Sequence, residues 1–243
     1  MYSKNGCDCQ VQHCWLVENN RSIMKGDIDM MKYTSKYYNL LSFLLRKHLK
    51  EQFGRKVTKK ALKSARHIYK EMLRKCDDIG HDNPMANNIY MCFVFLSIWK
   101  AADGAIDYEG YRKVIKNFMS KPPVSIFMRA GDLNNPKTLE KRKVNFHKMQ
   151  EWADAHPEYK DKTWDFNFDE SKHKDGSYYH FTRCPLNDFA RENGYLEILP
   201  VCCEMDHYMI EAQHGVLHRD YTLATGGAMC DYWIVPDKIE NPR

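Results

Sequence analysis

Glycine and proline are sparse in this chain, at 12 and 9 of 243 residues, which excludes collagen-like and Gly/Pro-rich low-complexity classes. Long apolar runs are also missing. The longest, residues 91–99 (MCFVFLSIW), is about half of what a membrane crossing needs, so it reads as a buried core helix and no membrane partner is expected. Residues 1–14 (MYSKNGCDCQVQHC) have no continuous apolar segment of the secretory kind, which predicts a cytoplasmic protein. There is no internal repeat. Paired C-x2-C knuckles are absent too, and nine cysteines is an odd number in a chain too large to need disulfide staples. The thiols are therefore expected to be reduced and available for packing, metal binding or catalysis.

What is present is ordinary globular material, 43% apolar and 28% charged, with its charge unevenly spread. Residues 1–150 carry 28 Lys+Arg against 14 Asp+Glu, and residues 151–243 carry 9 against 18. The basic residues fall on solvated helix faces without the interleaved aromatics of a base-stacking surface, so nucleic acid is not the expected partner. Attraction between the two halves accounts for the asymmetry. A homo-oligomer remains compatible with the composition.

The hydrophobic period divides the chain. Residues 1–28 have no sustained period and read as a flexible N-terminal segment. Their Cys7, Cys9, His13 and Cys14, spaced C-x-C-x3-H-C, read as incidental rather than as a zinc knuckle. Residues 29–157 form a helical region: apolar positions recur at three and four over 33–53, 58–75, 85–102, 107–119 and 136–156. Gly54 separates the first two, with Thr58 as an N-cap; Asp107 caps the fourth, and Pro136 opens the fifth. From about residue 158 to 243 the period changes to two. TWDFNFDES and SYYHFTRC alternate as one hairpin; two helices, 185–193 and 197–214, follow; VLHRDYTLA and AMCDYWIV form a second hairpin with a tight turn at Thr225, Gly226 and Gly227. The fold class is thus α+β: an N-terminal helical half followed by an antiparallel sheet of two hairpins with helices packed on one face. Residues 28–243 are expected to form one compact unit.

Residues 180–235 concentrate the reactive groups, with four of the nine cysteines and four histidines. Cys184 lies where a strand passes into a helix, and free N–H groups at a helix start favour a thiolate. Arg183 adds positive charge beside it. Cys203, Asp206 and His207 are three and four apart and share a helix face. Alternation puts Cys230 on the side of Tyr232 and Ile234, and puts His180 on the face of Cys184 as a candidate base. Two readings stay open. Cys184, Cys203 and Cys230 with an Asp or His suit a tetrahedral zinc site; alternatively, Cys184 or Cys203 is a nucleophile served by His207 and oriented by Asp206. The cofactor is accordingly either none or Zn.

The segments YYHFTRCPLNDFAREN, LPVCCEMDHYMIEAQHG and RDYTLATGGAMCDYW resemble the L-2-amino-thiazoline-4-carboxylic acid hydrolase family over residues 164–235. The family pattern is a Cys at a strand end, a C-x-x-D on a second helix and a T-x3-G-x3-C turn before an aromatic strand. The matching residues are Cys184; Cys203 and Asp206; Thr222, Gly226 and Cys230. A more distant similarity runs to 4-vinyl reductase-type small-molecule-binding domains, from which this chain departs at Thr222, where that group has a cysteine. The first resemblance implies hydrolytic opening of a cyclic amidine, 2-amino-thiazoline-4-carboxylate, to N-carbamoyl-cysteine. It further implies Cys184 or Cys203 as nucleophile or metal ligand and Asp206 as base or orienter. Arg183 or Arg219 would then clamp the substrate carboxylate, with His180 and Thr222 beside the small-molecule substrate. The alternative is a metal- or small-molecule-binding, sensor-like module without turnover.

Overall fold

In the computed structural model, residues 30–129, 131–169 and 171–240 are described; Cys7, Cys9, His13 and Cys14 lie outside them. Thr34 caps α1 (Ser35–Lys75), its side chain accepting from the Lys36 N–H at 3.4 Å. The helix is interrupted at Gly54, whose φ of 79° is available to glycine without steric cost. Thr58 is not a cap. It is 1% exposed, one turn inside the resumed helix, and its hydroxyl donates back to the Gly54 carbonyl at 2.8 Å.

α2 (Ala86–Ala102) is the run expected to be central, and Phe93, Val94, Leu96 and Ile98 are fully buried in it. It packs along α1, and α3 (Tyr108–Ser120) packs beside α1, capped by the Asp107 carboxylate accepting from the Gly110 N–H at 2.7 Å. The Tyr111 hydroxyl ties α3 to α2 by donating to the Phe95 carbonyl at 2.8 Å. The short α4 (Val124–Met128) follows the Pro122–Pro123 break. α5 (Pro136–Ala155) starts on the Asn135 cap with proline in its first turn, as the sequence indicated, and the single turn α6 (Pro157–Lys160) ends the helical half.

The sheet is antiparallel throughout, in the order β1 (Phe166–Asn167), β2 (Ser177–Phe181), β4 (Cys230–Pro236), β3 (Gly215–His218). β1 is only two residues long, and its Phe166 N–H donates to the Gln150 side chain on α5 at 2.8 Å. The expected tight turn at Thr225–Gly227 does not join β3 and β4 directly. Residues 219–229 leave the sheet through a 3-10 turn (Leu223–Thr225), because the Asp231 carboxylate captures the Asp220 and Tyr221 N–H groups at 3.2 and 2.7 Å. Between the strand pairs come α7 (Pro185–Asn193), closed by Gly194 in the left-handed region, and α8 (Leu199–Ala212); α9 (Asp237–Glu240) ends the described chain.

The register sets the two faces of the sheet. Tyr179 lies opposite Tyr232, Phe181 opposite Cys230 and Phe166 opposite Phe181, so these side chains share one face. α5 covers it through Phe146, 4.2 Å from the Tyr179 ring centroid, and α8 through Asp206 on Tyr232. The other face carries Tyr178, His180, Asp231 and Trp233, and the His173 ring stacks on Trp233 at 4.1 Å. One buried cluster runs from Tyr38 in α1 to Ile234 in β4. Across the two halves the Arg112–Glu204 pair is direct, at 2.7 Å, whereas among the described residues the α1 bases Lys47 and Arg74 pair within that helix, with Glu51 and Glu71.

Candidate active site

Cys184 occupies the N-cap of α7, with Pro185 in the first turn. The expectation of a stabilised thiolate is not met. Burial pushes the thiol up to about 12; the Asn187 and Leu186 N–H groups pull the other way, and the Cys230 thiol adds to the rise. Removal from water outweighs the helix terminus here. Cys203 on α8 is also held above the ordinary thiol value, first by burial and then by Cys184 and Asp206. Cys230, at the start of β4, is raised by burial as well, but the Leu223 N–H and the Arg219 charge oppose it. These mutual effects bring Cys184, Cys203 and Cys230 into one neighbourhood.

The Cys230 sulfur has a specific donor, the Leu223 N–H at 3.2 Å. The T-x3-G-x3-C segment builds that contact. The Thr222 carbonyl accepts from the Thr225 and Gly227 N–H groups, folding the chain so that the next amide faces the sulfur. Gly227 is required for closeness: a Cβ there would stand 2.9 Å from the Thr222 carbonyl oxygen. The Thr222 hydroxyl is spent locally, 2.9 Å from that of Thr225.

Beside the thiols lies a buried ion pair. The Arg219 side chain is 4% exposed; it donates to an Asp206 carboxylate oxygen at 2.8 Å and to the Cys203 carbonyl at 3.0 Å. Its guanidinium sits over the Tyr232 ring at 4.0 Å. Burial disfavours the charge, yet Tyr232 and Asp206 hold its pKa above the ordinary arginine value. The Tyr232 hydroxyl donates to the same Asp206 oxygen at 2.9 Å, and its ring stacks on Tyr179 at 4.7 Å. Asp206, at 32% exposure, is the part of this network that reaches solvent.

Other sequence candidates fall elsewhere. Arg183 is turned toward the start of the sheet, donating to the Lys160 carbonyl at 2.7 Å near Asp161 and Asp165. His180 lies opposite Asp231 on the face away from Cys230, because the chain bends after Phe181 and the period of two does not carry to Cys184. His207 is on the exposed side of α8; burial and then the Arg219 charge hold its imidazole below the ordinary value. The half-buried Cys202 thiol is hydrogen-bonded to the buried Cys92 thiol, both free. Among the described residues no group of three or more His, Cys, Asp or Glu side chains is arranged to hold a metal ion, so the three-thiol zinc reading has no ligand geometry behind it. Tyr232 and the Leu223 amide were not among the candidates. Alternation had placed Tyr232 beside Cys230, but a main-chain donor leaves no mark in side-chain spacing.

Two clefts open away from the thiols: one of about 80 Å³ between α5 and the start of β2, and one of about 290 Å³ floored by Met72, Phe189 and Tyr195. Compared with known families, residues 87–234 match the model described as L-2-amino-thiazoline-4-carboxylic acid hydrolase. No curated protein and no solved structure matches the chain.

Proposed function

Because the chain belongs to the L-2-amino-thiazoline-4-carboxylic acid hydrolase family, we propose that it is a hydrolase opening a small cyclic amidine such as 2-amino-thiazoline-4-carboxylate to N-carbamoyl-cysteine. The observation that carries this reading is the Cys230 sulfur, 3.2 Å from the Leu223 N–H and beside the Arg219–Asp206 pair. Burial raises all three thiols, and Cys230 is the one at which both an N–H donor and a neighbouring cation oppose the rise, so it is the sulfur that Asp206 can most readily deprotonate as the substrate binds.

In this scheme Cys230 adds to the ring carbon between nitrogen and sulfur. The carbon–ring sulfur bond breaks, and the proton that Cys230 gave up passes to the leaving sulfur by way of Asp206. The substrate is then held as an isothiourea on Cys230. Water adds to the same carbon and expels the Cys230 sulfur, leaving a urea; one water is consumed and both thiols end protonated. Arg219 and Tyr232 act on Asp206, fixing its position with two donors on one oxygen. Cys184 and Cys203 form the apolar wall of the site rather than its nucleophile.

The test is release of the substrate's thiol, read with a thiol reagent. Cys230→Ser is expected to lower ring opening by at least about a hundredfold, the usual scale for losing an activated group, while Cys184→Ser retains most of it. Full activity in Cys230→Ser sinks the assignment. Absence of thiol release by the wild-type protein sinks the hydrolase reading.

A further inference from the structure

The end of α7 fixes an aromatic side chain whose polar tip the fold does not use. Gly194, in the left-handed region, reverses the chain, and the Tyr195 N–H donates back to the Ala190 carbonyl at 2.8 Å. That return lays the Tyr195 ring beside Phe189, with centroids 5.9 Å and planes 21° apart. Phe189 is in turn held by Phe93 of α2, at 4.4 Å. Tyr195 is only 7% exposed, yet among the described residues its hydroxyl has no hydrogen-bond partner, and that oxygen is not sealed from solvent. A buried tyrosine hydroxyl usually finds a partner. Tyr111 and Tyr232 do so in this molecule, donating to the Phe95 carbonyl and to Asp206.

Tyr195 lines the cleft of about 290 Å³, whose apolar floor is completed by Phe189 and by Ile68 and Met72 of α1. Ile68, Met72 and Lys75 follow one another at four and three along α1, so a single helix face forms that wall. Lys75 and Lys100 also line the cleft, exposed and, among the described residues, without an acid in ion-pair range. The described lining holds one acid, Glu71, and Arg74 takes it at 2.9 Å. The Asn193 amide is occupied too, donating to the Phe189 carbonyl at 3.0 Å. What remains for a ligand is an aromatic floor, a hydroxyl donor and two unpaired cations. A cavity on the order of 150 Å³ holds one benzene ring, so this cleft has room for two fused rings. None of the described thiols lines it.

We propose that this cleft binds a small aromatic carboxylate, with the ring on the Phe189–Met72 floor and the carboxylate accepting from the Tyr195 hydroxyl in the field of Lys75 and Lys100. An aromatic ring is favoured because phenyl rings and a thioether attract one beyond its apolar area alone. An anion is favoured because the only acid of the lining is already neutralised, and a hydroxyl bonds a charged acceptor more strongly than a neutral one. This is a second binding site, apart from Cys230, and it stands whether or not the hydrolase reading holds.

The experiment is calorimetric titration of the full chain with 2-naphthoate. Two controls divide the ligand: 2-naphthalenemethanol keeps the rings without the charge, and cyclohexanecarboxylate keeps the charge without the aromatic ring. Naphthoate should bind one to a chain, and each control at least about tenfold more weakly. Tyr195→Phe should melt with the wild type, since its hydroxyl has no protein partner to lose, and should bind naphthoate about ten- to a hundredfold more weakly, the scale of one hydrogen bond to a charged group. Lys75→Met with Lys100→Met should weaken naphthoate several-fold and leave naphthalenemethanol unchanged. Cys230→Ser should bind naphthoate as the wild type does. The proposal is overturned if naphthoate does not bind, if either control binds as tightly, or if Tyr195→Phe keeps wild-type affinity. Loss of binding in Cys230→Ser overturns it as well, by placing the ligand at the thiols. Should Tyr195→Phe fail to fold, the double lysine variant decides, and unchanged naphthoate affinity there overturns the proposal.

Discussion

Arg219 is the most exacting place to test the described site, because its replacement removes a charge that the fold has already paid to bury. In Arg219→Met the alkyl stem is largely kept, so the loss is confined to three polar contacts. Two are hydrogen bonds, to Asp206 at 2.8 Å and to the Cys203 carbonyl at 3.0 Å; bonds involving a charged group contribute about 1.5–3 kcal/mol each. The third is the stacking over Tyr232 at 4.0 Å, worth up to about 2 kcal/mol when desolvated. Two effects reduce the sum. The Arg219 Nε is buried without a partner, so its removal returns some desolvation energy. Asp206 is 32% exposed, so its stranded carboxylate recovers water. A net loss of about 3 kcal/mol follows, a fall of about 6–12 °C in melting temperature for a chain of this size. The assay is urea unfolding of wild type, Arg219→Met, Asp206→Asn and the double variant. The coupling expected from the cycle is about 1.5–2 kcal/mol. A single-variant loss under about 1 kcal/mol, or additivity within about 0.5 kcal/mol, would refute the argument that this ion pair holds α8 to the 219–229 segment.

Two further outcomes concern the frame of the site. A Cβ at Gly176 would stand 2.2 Å from the Ile234 carbonyl oxygen, at a φ of +81°, whereas Gly104 has a similar φ of +76° and nothing within 4 Å. Gly104→Ala should therefore cost about 1–2 kcal/mol from backbone strain alone, and Gly176→Ala at least about 2 kcal/mol more as β2 and β4 are forced apart; equal losses in urea unfolding would contradict the close approach. Alkaline pH is the other perturbation. Burial raises the Cys184 and Cys76 thiols from 9.0 to about 12, so the folded state keeps protons that the unfolded chain gives up. Stability is then fully present below about pH 9 and is lost as pH climbs toward about 12, by up to about 1.4 kcal/mol per pH unit for each thiol; Cys184→Ala should flatten that slope in an alkaline titration of unfolding free energy, and an unchanged slope would count against the buried thiol.

Legibility from sequence follows the range of the interaction concerned. The helix starts at Asp107 and Pro136 and the Gly194 stop were readable because each depends on one residue and its immediate neighbours. Cys203 and Asp206 could be placed on one helix face by counting, and Tyr232 beside Cys230 by alternation. The failures are competitions between local rule and distant partner. Thr58 has the chemistry of a cap but lies one turn inside the resumed helix, its hydroxyl bonded back to the Gly54 carbonyl. The Thr225–Gly227 turn was assigned to a hairpin, but Asp231 draws two amides of residues 220–221 to itself and ends β3 early. His180 was carried to the wrong face by extending a period of two through the bend at Thr182.

By itself the sequence determined the α+β class, the order of helices and strands, the family, and the set of residues from which a site could be drawn, because period, caps and motif are written in neighbouring positions. Only the tertiary structure decided that the Cys230 sulfur meets the Leu223 N–H beside a cation, that Arg219 is paired with Asp206, and how far burial overrides a helix terminus at Cys184. Those outcomes depend on desolvation and on how separate elements meet in space, which the residue pattern within each element does not state.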